Sequence, residues 1–208
     1  MAVVIQALTR SLKTYGSNSK MVGTLYQFPN TKGNQGTQSG TAVDINTTNA
    51  EQDMLNYSVP GNSMGANGCV RFTITGYLLQ NQATGTTYTF KIKFGTTTIY
   101  QDTGPSIAQS ANKLPFRIVG EIYNKNATNA NACNALIMIS NAGGATTGLG
   151  DVGNDENSTA VIMDSEGADT TKDTTTAQTL QVTVTMSVSD ATVHTVIKHK
   201  LVEVLTFT

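Results

Sequence analysis

From Gln178 to Ser189 the chain alternates strictly. Leu180, Val182, Val184, Met186 and Val188 are apolar, and Thr179, Gln181, Thr183, Thr185, Ser187 and Ser189 between them are polar. Period two over a whole segment predicts a β-strand with one dry and one wet face. A helix would scatter those apolar residues around its axis. The same period recurs upstream. Val70, Phe72, Ile74 and Leu78 share a face near Cys69 to Leu79, and Tyr88, Phe90, Ile92 and Phe94 share one near Thr86 to Phe94, with Lys91 and Lys93 outward. Leu114, Phe116, Ile118 and Ile122 share a face near Lys113 to Tyr123, and Leu55, Tyr57 and Val59 group within Met54 to Val59. Ala135 to Ile139 is continuously apolar, which predicts a strand buried on both faces. Thr192 to Phe207 is mixed: Val193, Ile197, Leu201, Leu205 and Phe207 hold one parity, Val202 and Val204 the other. That second apolar face is a candidate contact with another subunit.

Turn chemistry separates these runs. Gly95-Thr96 is a Gly-X pair suited to a tight hairpin. Pro60-Gly61-Asn62 ends one strand, Gly65-Ala66-Asn67-Gly68 leads into the next, and Asp190 marks a hairpin before the last strand. Two segments start alike, TTNAEQDMLNYSV from Thr47 and TTTAQTLQVTV from Thr174, and are read as similar strand starts in two sheets. Many short strands between turns, without a convincing amphipathic helix in the core region, predict an all-β antiparallel β-sandwich or barrel. Two regions stand outside the series. Met1–Ser39 is predicted to be an N-terminal attachment arm. Its apolar residues Val3, Val4, Ile5, Leu8, Leu12, Met21, Val22, Leu25, Tyr26 and Phe28 are the candidate partner-binding set. It runs out in a linker-like TKGNQGTQSG. Gly40–Thr208 is the sandwich, interrupted by a long loop over Asn141–Asp173 with a short strand at Ala160 to Met163.

Composition narrows the function. The 208 residues (22.0 kDa) suit one domain plus an arm, large enough to need no disulfide or metal staple. Charged residues are 13% of the chain, against about 25% in ordinary domains, so the surface is built from neutral polar groups. The net charge of −1 supplies no general drive toward nucleic acid, and the arm carries only Arg10, Lys13 and Lys20 before its linker. No run approaches the ~18 apolar residues of a membrane span. At the N-terminus, Ala2 to Ile5 precedes Arg10 and Lys13, the reverse of secretory-signal order. The three Asn-x-Ser/Thr sequons at Asn46, Asn126 and Asn157 are then chance matches. Cys69 and Cys133 fit no zinc spacing; two buried free thiols are expected, with a single disulfide as the alternative.

Candidate chemistry is sparse. Gly61-Asn62-Ser63-Met64-Gly65 and Gly148-Leu149-Gly150-Asp151-Val152-Gly153 match the Gly-x-Ser-x-Gly and Gly-x-Gly-x-x-Gly strings. Neither stands between a strand pattern and a helix pattern, so neither is read as a nucleophile elbow or dinucleotide loop, and no Walker-type phosphate loop is present. His194 and His199 are five apart, which on a regular strand puts them on opposite faces, each a surface histidine. Lys198 and Lys200 share a parity around His199 and read as a solvated strand face. Asp151, Asp155, Glu156, Asp164, Glu166, Asp169 and Asp173 gather in the long loop, where calcium finds its ligands. They lack EF-hand order, so solvated acids are expected and no metal site is assigned. The chain contains no Trp, the commonest sugar-stacking side chain, which leaves Tyr for any glycan. No catalytic residue and no cofactor are predicted, and the protein reads as non-enzymatic.

Three segments carry a resemblance: the P-x-n-x-x-G-x-n-G lead-in at Pro60–Gly68, the K-F-G-T-T-T-I hairpin at Lys93–Ile99, and the closing Q-T-L…V-E-V-L strand pair. Over roughly Asp44 to Leu205 the chain resembles a group of virion surface proteins of tailed bacteriophages, found as capsid decorations, head fibres and tail appendages. The resemblance implies a jelly-roll-like sandwich, often trimeric, and carries no catalytic residue across. It implies a structural role in the virion, assembled in the host cytoplasm, with the major capsid or other virion proteins as partners. Direct nucleic-acid and membrane contacts are not expected. The arm has no counterpart in the group, so its use as anchor rests on its apolar residues. The alternative reading is a tail-borne module that recognises host surface glycans through loops such as Asn141–Asp173.

Overall fold

The computed structural model describes residues 43–104, 106–139 and 161–206, with backbone alone for 161–166. The ten arm residues proposed as a binding set, the loop acids Asp151, Asp155 and Glu156, and Phe207 lie outside the described residues. Ten strands follow in order: β1 (Val43–Asn46), β2 (Gln52–Val59), β3 (Cys69–Gln80), β4 (Tyr88–Phe94), β5 (Thr97–Thr103), β6 (Ser110–Asn124), β7 (Asn131–Ile139), β8 (Val161–Glu166), β9 (Gln178–Met186) and β10 (Val193–Leu205). The described chain is all-β. One antiparallel sheet runs β1-β10-β3-β6-β7-β8 and the other runs β2-β9-β4-β5.

The alternation read from the sequence produces this arrangement directly. Tyr88, Phe90, Ile92 and Phe94 from one sheet and Val70, Phe72, Ile74 and Leu78 from the other join a single apolar cluster, all nearly inaccessible to solvent. Leu180, Val182, Val184 and Met186 complete the second sheet's dry face, while Val188 lies past the end of β9 and is half-buried. Burying side chains of this size is worth roughly 1.5–3 kcal/mol each, and the strand period decides which ones are buried. Gly95 turns the β4–β5 hairpin at φ +59°, a backbone state that glycine adopts without a steric cost.

Several expectations are corrected by how the strands pair. β9 and β10 do not pair, so Asp190 marks a turn that carries the chain from one sheet to the other and not a hairpin. Its carboxylate accepts the Thr192 N–H and hydroxyl, at 2.8 and 2.7 Å, which fixes that turn. The two Thr-Ala-Gln strand starts are in one sheet, not two: β2 and β9 are antiparallel neighbours, with Tyr57 opposite Leu180. β7 is not buried on both faces. Ala135, Ile137 and Ile139 are buried, whereas Leu136 and Met138 on the alternate face are half-buried. The strand expected at Ala160 to Met163 is present as β8, antiparallel to β7.

Candidate interaction surface

The outer face of the six-stranded sheet is shaped by one irregularity in β10. Ile197 pairs with Gly76 and His199 with Thr75, so Lys198 is an extra residue, a β-bulge. The bulge exchanges the inward and outward parity of everything after it. Before it, Val193, Thr195 and Ile197 are buried, and after it Val204 is buried with Val202 packed against the core. From Val193 to Leu205 the buried face is therefore continued across the bulge by Val202 and Val204, and the outward register keeps Val196, Leu201 and Leu205, of which Leu201 is 39% exposed.

The same bulge corrects two further readings. His194, opposite Leu79, and His199, opposite Thr75, stand on one face of the sheet, not on opposite faces. His194 bonds Asp44 of β1 at 2.9 Å. Lys198 and Lys200 do not form a common solvated face. Lys198 is the exposed bulge residue, while Lys200 falls in the inward register opposite Ile74 and is half-buried. Desolvation lowers the Lys200 pKa, with the Asp53 charge opposing that shift.

Three cross-strand rows define the centre of the outer face. The middle row is Leu201, Thr73, Val119 and Leu136, on β10, β3, β6 and β7. On one side lies Glu203, Arg71, Glu121 and Asn134, and on the other His199, Thr75, Arg117 and Met138. The middle row forms a shallow hollow walled by Glu203 and by the Arg71–Glu121 ion pair at 2.9 Å. Beyond the third row, the Lys113 and Lys198 ammonium groups sit 4.8 and 5.6 Å from the Tyr77 ring centroid, over its negative face. Glu203 and the Arg71–Glu121 pair thus lie at one end of the hollow, and Arg117, Lys113 and Lys198 toward the other.

The outer face of the four-stranded sheet is built differently. Glu51 accepts bonds from Lys91 (2.8 Å), from Lys93 and from the Thr183 hydroxyl (2.9 Å). These donors, the Lys91 bond first, hold the Glu51 carboxyl down at about 2. Thr183 is 1% exposed beneath the cluster, and Asp53 accepts from Gln181 and Asn56 at 3.0 Å. Polar groups here satisfy one another, and no apolar row interrupts them.

The loop acids inside the described residues are dispersed. Asp169 pairs with Lys125, Asp173 caps its own turn through Thr175, and Asp164 and Glu166 lie on β8. Among the described residues no group of three or more His, Cys, Asp or Glu is placed to hold a metal. Cys69 and Cys133 are both free and buried. Cys133 is opposite Ile122 in the core, whereas Cys69 has the outward parity of Arg71, so the sheet itself lies between the thiols.

The residues of the hollow were absent from the candidate set drawn from sequence. A signal was nevertheless present. Val119 interrupts the polar parity of β6, and Leu136 and Met138 do the same in β7. Searches against protein families, curated proteins and solved structures return no match to this chain.

Proposed function

We propose that this chain is a non-enzymatic structural protein of a bacteriophage virion, a capsid decoration or head-fibre subunit. In this reading it is a homo-oligomer, a trimer, attaches to major capsid or other virion proteins through Met1–Ser39, and assembles in the host cytoplasm. The observation that carries it is the strand order. Setting aside β7 and β8, the sheets read β1-β10-β3-β6 and β2-β9-β4-β5. The chain changes sheet at every connection except β4–β5, β6–β7 and β7–β8. That winding supports a jelly-roll reading, with β7 and β8 appended to one sheet edge, and the jelly roll is an architecture that viral capsid and lectin domains use. The warrant is analogy of fold, so the place on the particle must come from experiment.

The low charge supports the same reading. A neutral, Thr-rich surface with internally satisfied polar groups suits dense packing on a particle, where a large net charge would make neighbouring copies repel. The test is electron microscopy of the source particle with a gold-labelled antibody to this chain. Label spread over the head is expected, and removing residues 1–39 should then abolish particle association. Label confined to the tail would replace this reading with the receptor-binding one and make the 141–173 loop the segment to mutate. No label on any part of the particle would overturn both.

A further inference from the structure

We infer that the outer face of the six-stranded sheet binds an acidic glycan at the patch centred on Tyr77. Lys113, Arg117 and Lys198 meet the carboxylate or sulfate groups of the glycan, and the Tyr77 ring meets a sugar face. The site goes beyond the reading above and does not depend on where the chain sits on a particle.

The argument is charge complementarity. Residues 43–208 carry all 14 acids of the chain and nine of its 13 cations, so a cluster of uncompensated cations stands out there. All nine lie among the described residues, and six are committed elsewhere. Arg71 pairs with Glu121, Lys91 and Lys93 pair with Glu51, and Lys125 pairs with Asp169. Lys172 donates to the Thr96 hydroxyl, and Lys200 is half-buried in the inward register. The other three, Lys113, Arg117 and Lys198, are exposed and form no ion pair with a described residue. They gather around one side chain. Tyr77 stands opposite Pro115 of β6, with Lys113 two residues to one side of Pro115 and Arg117 two residues to the other. Lys198, the bulge residue, reaches the same ring from β10. The acid in the Tyr77 row is Asp44, two strands away beyond Val196, and it already bonds His194. The Arg117 row holds His199, Thr75, Met138 and Ile162, with no acid.

The aromatic ring selects the class of anion. The chain has no Trp, and among the described Tyr and Phe side chains only Tyr77 and Tyr123 escape burial. The two ammonium groups are held over the Tyr77 ring by an attraction worth about 0.5–1 kcal/mol at an exposed site. They swing to an incoming anion at that small cost and leave the ring to a sugar. A nucleic acid fits less well. Its duplex carries a charge every ~1.7 Å, and most of them would face a body in which 14 acids outnumber nine cations. An acidic peptide fits less well too. β3 is paired with β10 and with β6 on the two sides of Tyr77, so no strand edge is open there for peptide addition.

The test is binding of the full chain to sensor surfaces carrying polygalacturonate, dextran sulfate, neutral dextran, poly-glutamate or an oligo-dT strand. At low ionic strength the chain is expected on one or both acidic glycans and not on neutral dextran, and added salt should weaken that binding, because the charges are exposed. Lys113→Gln and Lys198→Gln should each weaken it about threefold, the worth of one exposed ion pair. Tyr77→Ala should cost more than Tyr77→Phe, which keeps the ring. Lys125→Gln removes the same charge at the β6–β7 turn, away from the patch, and should leave binding unchanged. Circular dichroism should show every variant folded. No binding to either acidic glycan, equal binding to neutral dextran, or equal losses from Lys125→Gln and Lys113→Gln would each overturn the inference. Tighter patch-dependent binding to poly-glutamate or to oligo-dT would overturn it in favour of an acidic peptide or a nucleic acid. None of these results bears on where the chain sits on a particle, which the labelling experiment reads separately.

Discussion

Gly76 on β3 and Val196 on β10 are in a contact that only glycine permits. A Cβ at Gly76 would lie 1.9 Å from the Val196 carbonyl oxygen and 3.0 Å from the Phe116 ring. The nearest atom is backbone, so no side-chain rotation can make room. Gly76 stands opposite Ile197 at the register shift, and its missing side chain lets β10 bend into the bulge. Gly76→Ala should therefore cost roughly 2–3 kcal/mol by overpacking, read as a lower urea midpoint at unchanged slope. An unchanged midpoint would mean that the bulge does not depend on this approach.

Glu51 makes stability depend on acid pH. Its folded pKa is held near 2, below the ordinary 4.5, by Lys91, Lys93 and Thr183. The sign follows from linkage. The folded state favours the carboxylate, so the contribution is complete above pH 4.5 and is lost as pH falls from there through about 2. Glu51 is 27% exposed, and solvent screening keeps its worth at pH 7 to about 1–2 kcal/mol. Glu51→Gln should lose that amount at pH 7, and the gap from wild type should close toward pH 2 in denaturation curves taken across the range.

One end of the molecule is tied together by amides. Asn124 donates to the Gly65 carbonyl and to the Thr174 hydroxyl, and accepts from Asn131. Thr174 in turn donates to the Thr128 carbonyl. Asn124, Asn131 and Thr174 are all buried, and they join the approach to β3, the β6–β7 turn and the approach to β9. Asn124→Ala should cost about 2–4 kcal/mol, because it strands several buried polar groups at once. Hydrogen exchange should show the 61–68 and 125–130 turns losing protection before the strands do.

The two thiols should be unreactive in the native state. Burial pushes both the Cys69 and Cys133 pKa values up to about 12, with Glu121 adding to the Cys69 shift. The thiolate is the reactive species, and at pH 8 almost none is present. A thiol reagent should titrate no group in the folded protein and two in denaturant. A disulfide would leave none in either state, and the opposed parity of Cys69 and Cys133 argues against one.

Leu180, Val182, Val184 and Met186, like Tyr88, Phe90, Ile92 and Phe94, announce themselves in the chain because side chains alternate on a strand and water sorts them by polarity. That much, with the Gly95 hairpin and the all-β class, the sequence determined by itself. Which strands share a sheet was not available to it. Pairing joins residues far apart along the chain, so β2 beside β9 and the separation of β9 from β10 were decided by the tertiary structure. The bulge at Lys198 is the sharpest case. One unpaired residue, admitted by a glycine on the neighbouring strand, reverses the parity of the rest of β10. It turns Lys200 inward, puts His194 and His199 on one face, and aligns Leu201 with Val119 and Leu136. Alternation along a strand is a local rule that sequence records. The hollow and its flanking charges come from register between strands, which only the assembled sheet sets.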